Sequence, residues 1–153
     1  MTTNNYHTSI SVDATPQEAF ECIKNVNGWW TENMVGESQK QGDEFSVRFG
    51  DVHYSKQKLI EVIPDKKVVW LVTDSRLNFI KDKEEWTNNR IEFTITAENN
   101  QTKVHFTQIG LVPDGECYDA CSNAWNQYIQ QSLYSLITKG KGMPEKKEVR
   151  VYP

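Results

Sequence analysis

The chain is poor in what most catalytic, metal-binding and targeting motifs require. It has three His and three Cys among 153 residues. Cys22 stands alone. Cys117 and Cys121 fall four apart on one helical face, with no further His or Cys at a metal-site spacing. This odd count without a framework predicts buried, reduced thiols and no metal site. No apolar run approaches membrane-spanning length, so membrane insertion is not expected. Met1 is followed by polar Thr-Thr-Asn-Asn, which predicts no signal peptide and a cytoplasmic location. A net charge of -4 with no basic block argues against nucleic acid as a partner. Nucleophile elbow, phosphate-binding glycine loop and zincin or ferredoxin-type clusters are all missing. No cofactor is called for.

What the chain does have is aromatic residues, with five Trp, six Tyr and six Phe. A small sheet protein fills its core with such side chains. Some can instead line a ligand cavity.

Periodicity divides the chain into strands and two helical regions. Tyr6, Thr8, Ile10 and Val12 alternate with polar residues as a half-buried strand. Thr15, Pro16 and Glu18 then form a capping box with proline at the first helical position. The helix they open buries Ala19, Phe20 and Ile23, and Asn27-Gly28 is expected to end it. Trp29-Trp30 begins a second short piece. Met34 to Asp43 reads as a loop. Alternation or apolar content then predicts strands at Glu44–Phe49, Val52–Ile63, Lys67–Thr73, Arg90–Ala97 and Thr102–Val112, the last with a bulge at Gly110. Ser75 to Asn89 is long for a hairpin connection and is expected to be a flap or an extension of its strands. From Glu116 to about Lys139 there is no Pro or Gly. Cys117, Cys121, Ala124, Trp125, Tyr128, Ser132 and Leu136 share one stripe there, predicting an uninterrupted helix of roughly 36 Å. The tail, residues 141–153, is expected to be flexible or to add an extended edge with Val149, Val151 and Tyr152.

This order resembles the helix-grip fold of the START and birch-pollen-allergen (SRPBCC) superfamily. More narrowly it resembles the branch related to the activator of heat-shock protein 90 ATPase. The residues that carry the resemblance begin with Ser11-Val12-Asp13-Ala14-Thr15-Pro16, followed by Glu18, Ala19 and Phe20. They continue through Glu61-Val62-Ile63-Pro64, Lys67-Val68-Val69-Trp70, and Glu85-Trp86 ahead of Ile91-Glu92-Phe93. Val104 to Leu111 and the Trp125 to Gly140 helix complete the set. The resemblance implies an α+β chain, residues 1–153 as one domain, with a curved antiparallel sheet around a long C-terminal helix. Members of the superfamily bind lipids, hormones or polyketides; a few are cyclases or hydrolases, and one branch is a co-chaperone. Fold alone does not choose among these.

The expected site is a hollow between long helix and sheet. Small Cys121 and Ala124 beside large Trp125 and Tyr128 leave room on the helix. Trp70, Phe93, Phe106 and Trp125 are the expected walls, with Trp30 beside them, and Phe79 and Trp86 are expected to close over a bound molecule. Gln108, Tyr128 and Ser132 supply candidate polar groups. The Gln108 amide either points into the cavity or bonds backbone near Gly110. His105 and His7 are expected to face water, whereas His53 depends on a strand register that periodicity does not settle. No catalytic set is nominated.

Three functions remain open. One is a binding module for a small apolar or aromatic ligand. The second is a co-chaperone-like protein-interaction domain, against which counts the additional N-terminal domain that such activators carry. The third is a cyclase- or hydrolase-type enzyme, which would need a buried charged residue of shifted pKa.

Overall fold

The computed structural model describes residues 4–146. Seven strands form one antiparallel sheet in the order β1-β7-β6-β5-β4-β3-β2. They are β1 Tyr6–Val12, β2 Met34–Gly36, β3 Glu44–Phe49, β4 His53–Ile63, β5 Lys67–Leu77, β6 Arg90–Glu98 and β7 Gln101–Ile109. The sheet is curved and grips the C-terminal helix, as the expected α+β helix-grip architecture requires.

Local chemistry accounts for most boundaries. Helix α1, Pro16–Lys24, opens on the expected capping box: Glu18 N donates to Thr15 Oγ1 at 3.1 Å and Thr15 N to Glu18 Oε1 at 3.4 Å. It ends sooner than Asn27-Gly28 suggests, because those residues lie inside a separate one-turn helix, α2 Val26–Trp29. The β6–β7 hairpin turns on Asn99 and Asn100, whose φ of 51° and 64° are those of a type I′ turn. Within the expected loop 34–43, Met34–Gly36 pairs with β3 as a short edge strand, with Met34 opposite Val47. Strand β7 stops at Ile109, so Gly110, at φ 112°, follows the strand rather than interrupting it.

The long helix is not uniform. It starts as α3 Tyr118–Gln127, passes through a π-helical segment Tyr128–Leu133, and ends as α4 Tyr134–Lys139. The extra residue changes which side chains face the sheet. Cys121, Trp125 and Tyr128 are buried as expected, but Ile129, Leu133 and Ile137 join Ser132 inside, while Ala124 is exposed and Leu136 only partly covered. Glu116 lies before the helix. Its carboxylate accepts from Lys81 N and Asp82 N at 3.2 and 3.0 Å. Cys117 and Cys121 face each other at the start of the helix with their Cα atoms 5.5 Å apart, close enough for a disulfide, whereas Cys22 stands apart as a free thiol.

After α4 the chain reverses at Gly140, in the left-handed region at φ 79°. It then runs back against the start of the fold. Gly142 passes so near the Gly28 carbonyl that a side chain there would collide with it. Glu145 N donates to Trp30 O at 3.0 Å and Glu32 N to Glu145 O at 2.8 Å. Residues 141–146 thus form a strap over α2. Val149, Val151 and Tyr152 lie outside the described residues. No described helix is long and apolar enough to cross a membrane.

Candidate functional site

All five Trp belong to one stack beneath the long helix. Trp30 is central: its ring centre lies 4.9 Å from that of Trp125, 5.7 Å from Trp70 and 6.4 Å from Trp86, each within 28° of parallel. Trp29 stacks on Trp30 and Trp70. Trp29 and Trp30 come from the end of α2 and the other three from separate elements, so the stack joins α2, β5, the β5–β6 connection and α3. Such rings bury large apolar areas and gain a further 0.5–1.5 kcal/mol or so per well-placed pair.

At one edge of the stack the packing is incomplete. A hollow of about 180 Å³ opens between the helix, the β3–β4 hairpin and the β5–β6 connection. Trp30, Trp86 and Trp125 form its indole walls, and Phe49, His53 and Tyr128 add further rings. On the helix side Ala120, Cys121 and Ala124 keep it open, because small residues there leave the space a Leu would fill. Val52 and Phe79, 52% and 44% exposed, make an apolar rim. No carboxylate, Lys or Arg lines it.

The ten sequence-nominated residues therefore divide. Trp30, Phe79, Trp86, Trp125 and Tyr128 line the hollow. Trp70, Phe93 and Phe106 are fully buried behind it, as packing for Trp29 and Trp125. Gln108 is also fully buried: its Oε1 accepts from Trp125 Nε1 at 2.7 Å, and its Nε2 donates to Asn89 Oδ1 at 2.9 Å. Neither expectation for this amide describes its role, which is to hold an indole of the wall. Ser132 Oγ donates to Trp29 O and accepts from Met143 N, both at 2.7 Å. It fastens the strap and is not among the lining residues.

The β5–β6 connection contributes Phe79 and Trp86 to the lining of the hollow. It is tied to the start of the helix by the Glu116 contacts and by Glu85 Oε2, which accepts from Cys117 N at 2.9 Å. Trp86 is 3% exposed, and its Nε1 has no hydrogen-bond partner among the described residues.

His53 is the lining residue that sequence reasoning left unplaced. It heads β4, whose inward positions are His53, Ser55, Gln57 and Leu59. The signal was present, since Leu59 assigns that parity to the core and the three polar residues share it. Burial pushes the His53 imidazole down to about 3, so it is neutral near neutrality. Tyr128 is pushed up to about 12, first by burial and then by the nearby Glu145 carboxylate. Its hydroxyl keeps its proton and lies 3.5 Å from Glu145 Oε2. The lining is thus uncharged, apolar and rich in ring faces. A larger groove of about 560 Å³ lies elsewhere on the surface, but Arg48, Arg76, Lys81, Asp74 and Asp82 give it charges of both signs and no apolar floor.

A curved antiparallel sheet around one long helix, with a small hollow between them, defines a helix-grip fold. Residues 13–138 match the family described as Activator of Hsp90 ATPase homolog 1-like protein, and the chain belongs to that family. No curated protein matches it in sequence. Among solved structures it is similar to the Aha1 dimer from Colwellia psychrerythraea, at TM-score 0.73 and 23% identity over 91% of this chain and 99% of that one. It is also similar to DynU16 from the dynemicin biosynthetic locus, at TM-score 0.64 and 16% identity, covering 89% of this chain and 48% of that one. CalU16 from Micromonospora echinospora gives TM-score 0.61 at 10% identity, covering 90% and 86%.

Proposed function

We propose that this chain binds a small, flat, apolar or aromatic molecule in the hollow beside Trp125. The observation that carries the reading is an unfilled apolar space walled by three stacked indoles and rimmed by exposed Phe79 and Val52. Solid cores pack to crystal-like density and leave few such voids. A cavity of about 150 Å³ accepts benzene, so 180 Å³ suits one ring with substituents or a compact bicycle. The uncharged lining favours binding over turnover, because it offers no acid–base pair. Titration with indane, naphthalene and related compounds should quench Trp fluorescence saturably, and Trp125→Ala should change that response. No saturable binding by any member of the panel would defeat the reading.

The family description supports a second reading, a protein-docking role at the Val52–Phe79 rim. Under it the purified protein would raise the ATPase rate of an Hsp90-type partner, and Phe79→Asp would abolish that effect. Small aromatic molecules would then show no saturable binding.

A further inference from the structure

Strand β4 presents three polar side chains in succession to the core side. His53, Ser55 and Gln57 are all buried, the last two completely. Buried polar groups seek partners, and these three form a chain that leaves Gln57 Oε1 unpartnered. Gln57 Nε2 donates to Ser55 Oγ at 2.6 Å, and Ser55 Oγ lies 2.8 Å from His53 Nε2. A serine hydroxyl has one proton to give. Here it already accepts from the Gln57 amide nitrogen, and His53 Nε2 is its other hydrogen-bond partner among the described residues. Its proton therefore goes to His53 Nε2. A neutral imidazole that accepts at Nε2 carries its own proton on Nδ1. That Nδ1 has no hydrogen-bond partner among the described residues, and His53 lines the hollow. Burial keeps the ring neutral, in keeping with this arrangement.

A second unmatched donor stands beside it. The Trp86 ring centre is 4.6 Å from that of His53, at 83°, and its Nε1–H is unpartnered. Tyr128 OH contacts Glu145, and Gln57 Oε1, a buried acceptor without a partner among the described residues, is not part of the lining. The wall is short of an acceptor.

We infer that His53, held as its Nδ1–H tautomer by the Gln57–Ser55 chain, is the specificity-determining donor of this pocket and selects aromatic ligands that carry a carbonyl or ether oxygen over hydrocarbons of the same shape. This rests on the ligand-binding reading and names the chemical class of its ligand. The hydrogen bond adds directional discrimination that stacked indoles alone lack, since they accept any flat ring.

Two measurements test it. Long-range ¹⁵N–¹H correlation spectra of the free wild-type protein at neutral pH should show His53 protonated at Nδ1 and bare at Nε2. An Nε2-protonated ring overturns the inference, and this measurement requires no substitution. The second compares 1-indanone with indane, bicycles that differ by one carbonyl, on wild type and on His53→Phe. The ratio of their affinities should favour indanone about 10-fold more in wild type than in the variant, a typical worth for one hydrogen bond. Where His53→Phe does not fold, Ser55→Ala replaces it: with Nε2 released, the Nδ1–H tautomer should lose its dominance and the ratio should fall in the same direction. Binding of both compounds with an unchanged ratio overturns the donor role and leaves the ligand-binding reading standing. Failure of both compounds, and of the wider hydrocarbon panel, to bind the folded wild type removes that reading and the inference with it.

Discussion

The Trp125 indole is anchored by Gln108, which accepts its Nε1–H at 2.7 Å from the neighbouring sheet. Because the same amide donates to Asn89, just before β6, the helix wall of the pocket and the end of its cover are held by one side chain. Gln108→Leu should leave a buried indole N–H and the Asn89 carbonyl unmatched. The expected cost is about 1–3 kcal/mol in chemical denaturation, with a shift in Trp emission. An unchanged midpoint would show that Trp125 is held by ring packing alone.

Lowering the pH tests the buried imidazole. The folded His53 pKa, about 3, lies below the unfolded value of about 6.5. Below 6.5 the unfolded chain takes up a proton that the folded chain refuses, so stability falls as pH falls. The full contribution is present above that pH. The His53 part of the slope should approach about 1.4 kcal/mol per pH unit between the two values. His53→Phe should flatten the dependence in urea melts. A wild-type profile equally steep in the variant would assign the acid sensitivity to other groups, such as His105, whose pKa is also lowered by burial and by His7 and Lys103.

Thr15→Ala should cost about 1 kcal/mol, a usual N-cap loss, since it removes the acceptor for Glu18 N. Thermal or chemical denaturation would read it. Ligand titration should be unaffected, because α1 does not line the pocket.

Removing the Ser132 hydroxyl leaves Trp29 O and Met143 N without their partner. Ser132→Ala is therefore expected to lose about 1–3 kcal/mol and to speed hydrogen exchange at the Met143 amide. Unaltered exchange there would mean the strap is held by its backbone bonds at Trp30 and Glu32 alone.

Glu116→Ala frees the Lys81 and Asp82 amides from their common acceptor. Exchange at both should accelerate and ligand dissociation should quicken, while global stability changes by less than about 1 kcal/mol because the site is exposed. A residence time equal to that of wild type would show that the connection does not gate the pocket.

The fold was legible where a residue's type and its position agreed. Thr15-Pro16 with Glu18, the alternation in β6 and β7, and the apolar run of β5 each allow one local solution. The π turn was not legible, because nothing in Tyr128–Leu133 marks an extra residue; tertiary packing selects it. The site was half legible. Aromatic count and small helix residues pointed to the space beside Trp125, and five nominated residues meet there. Ser132 and Gln108 were misjudged because a buried hydroxyl or amide looks the same whether it serves a ligand or the backbone. His53 stayed open because polar Ser55 and Gln57 obscure the register of β4, whose inward parity only Leu59 marks.

The π segment has a consequence for chain length. In a continuous α-helix one added residue would advance all that follows by about 100° around the axis; the wider π turn absorbs it. The half of the helix that carries Trp125 and the half that carries Ile137 therefore both keep their buried faces on the sheet. Deleting a single residue between Tyr128 and Leu133 should convert the segment to an ordinary α-helix with both halves still facing inward, whereas inserting one in α3 or α4, where no such turn takes it up, should rotate the remainder of the helix away from the sheet.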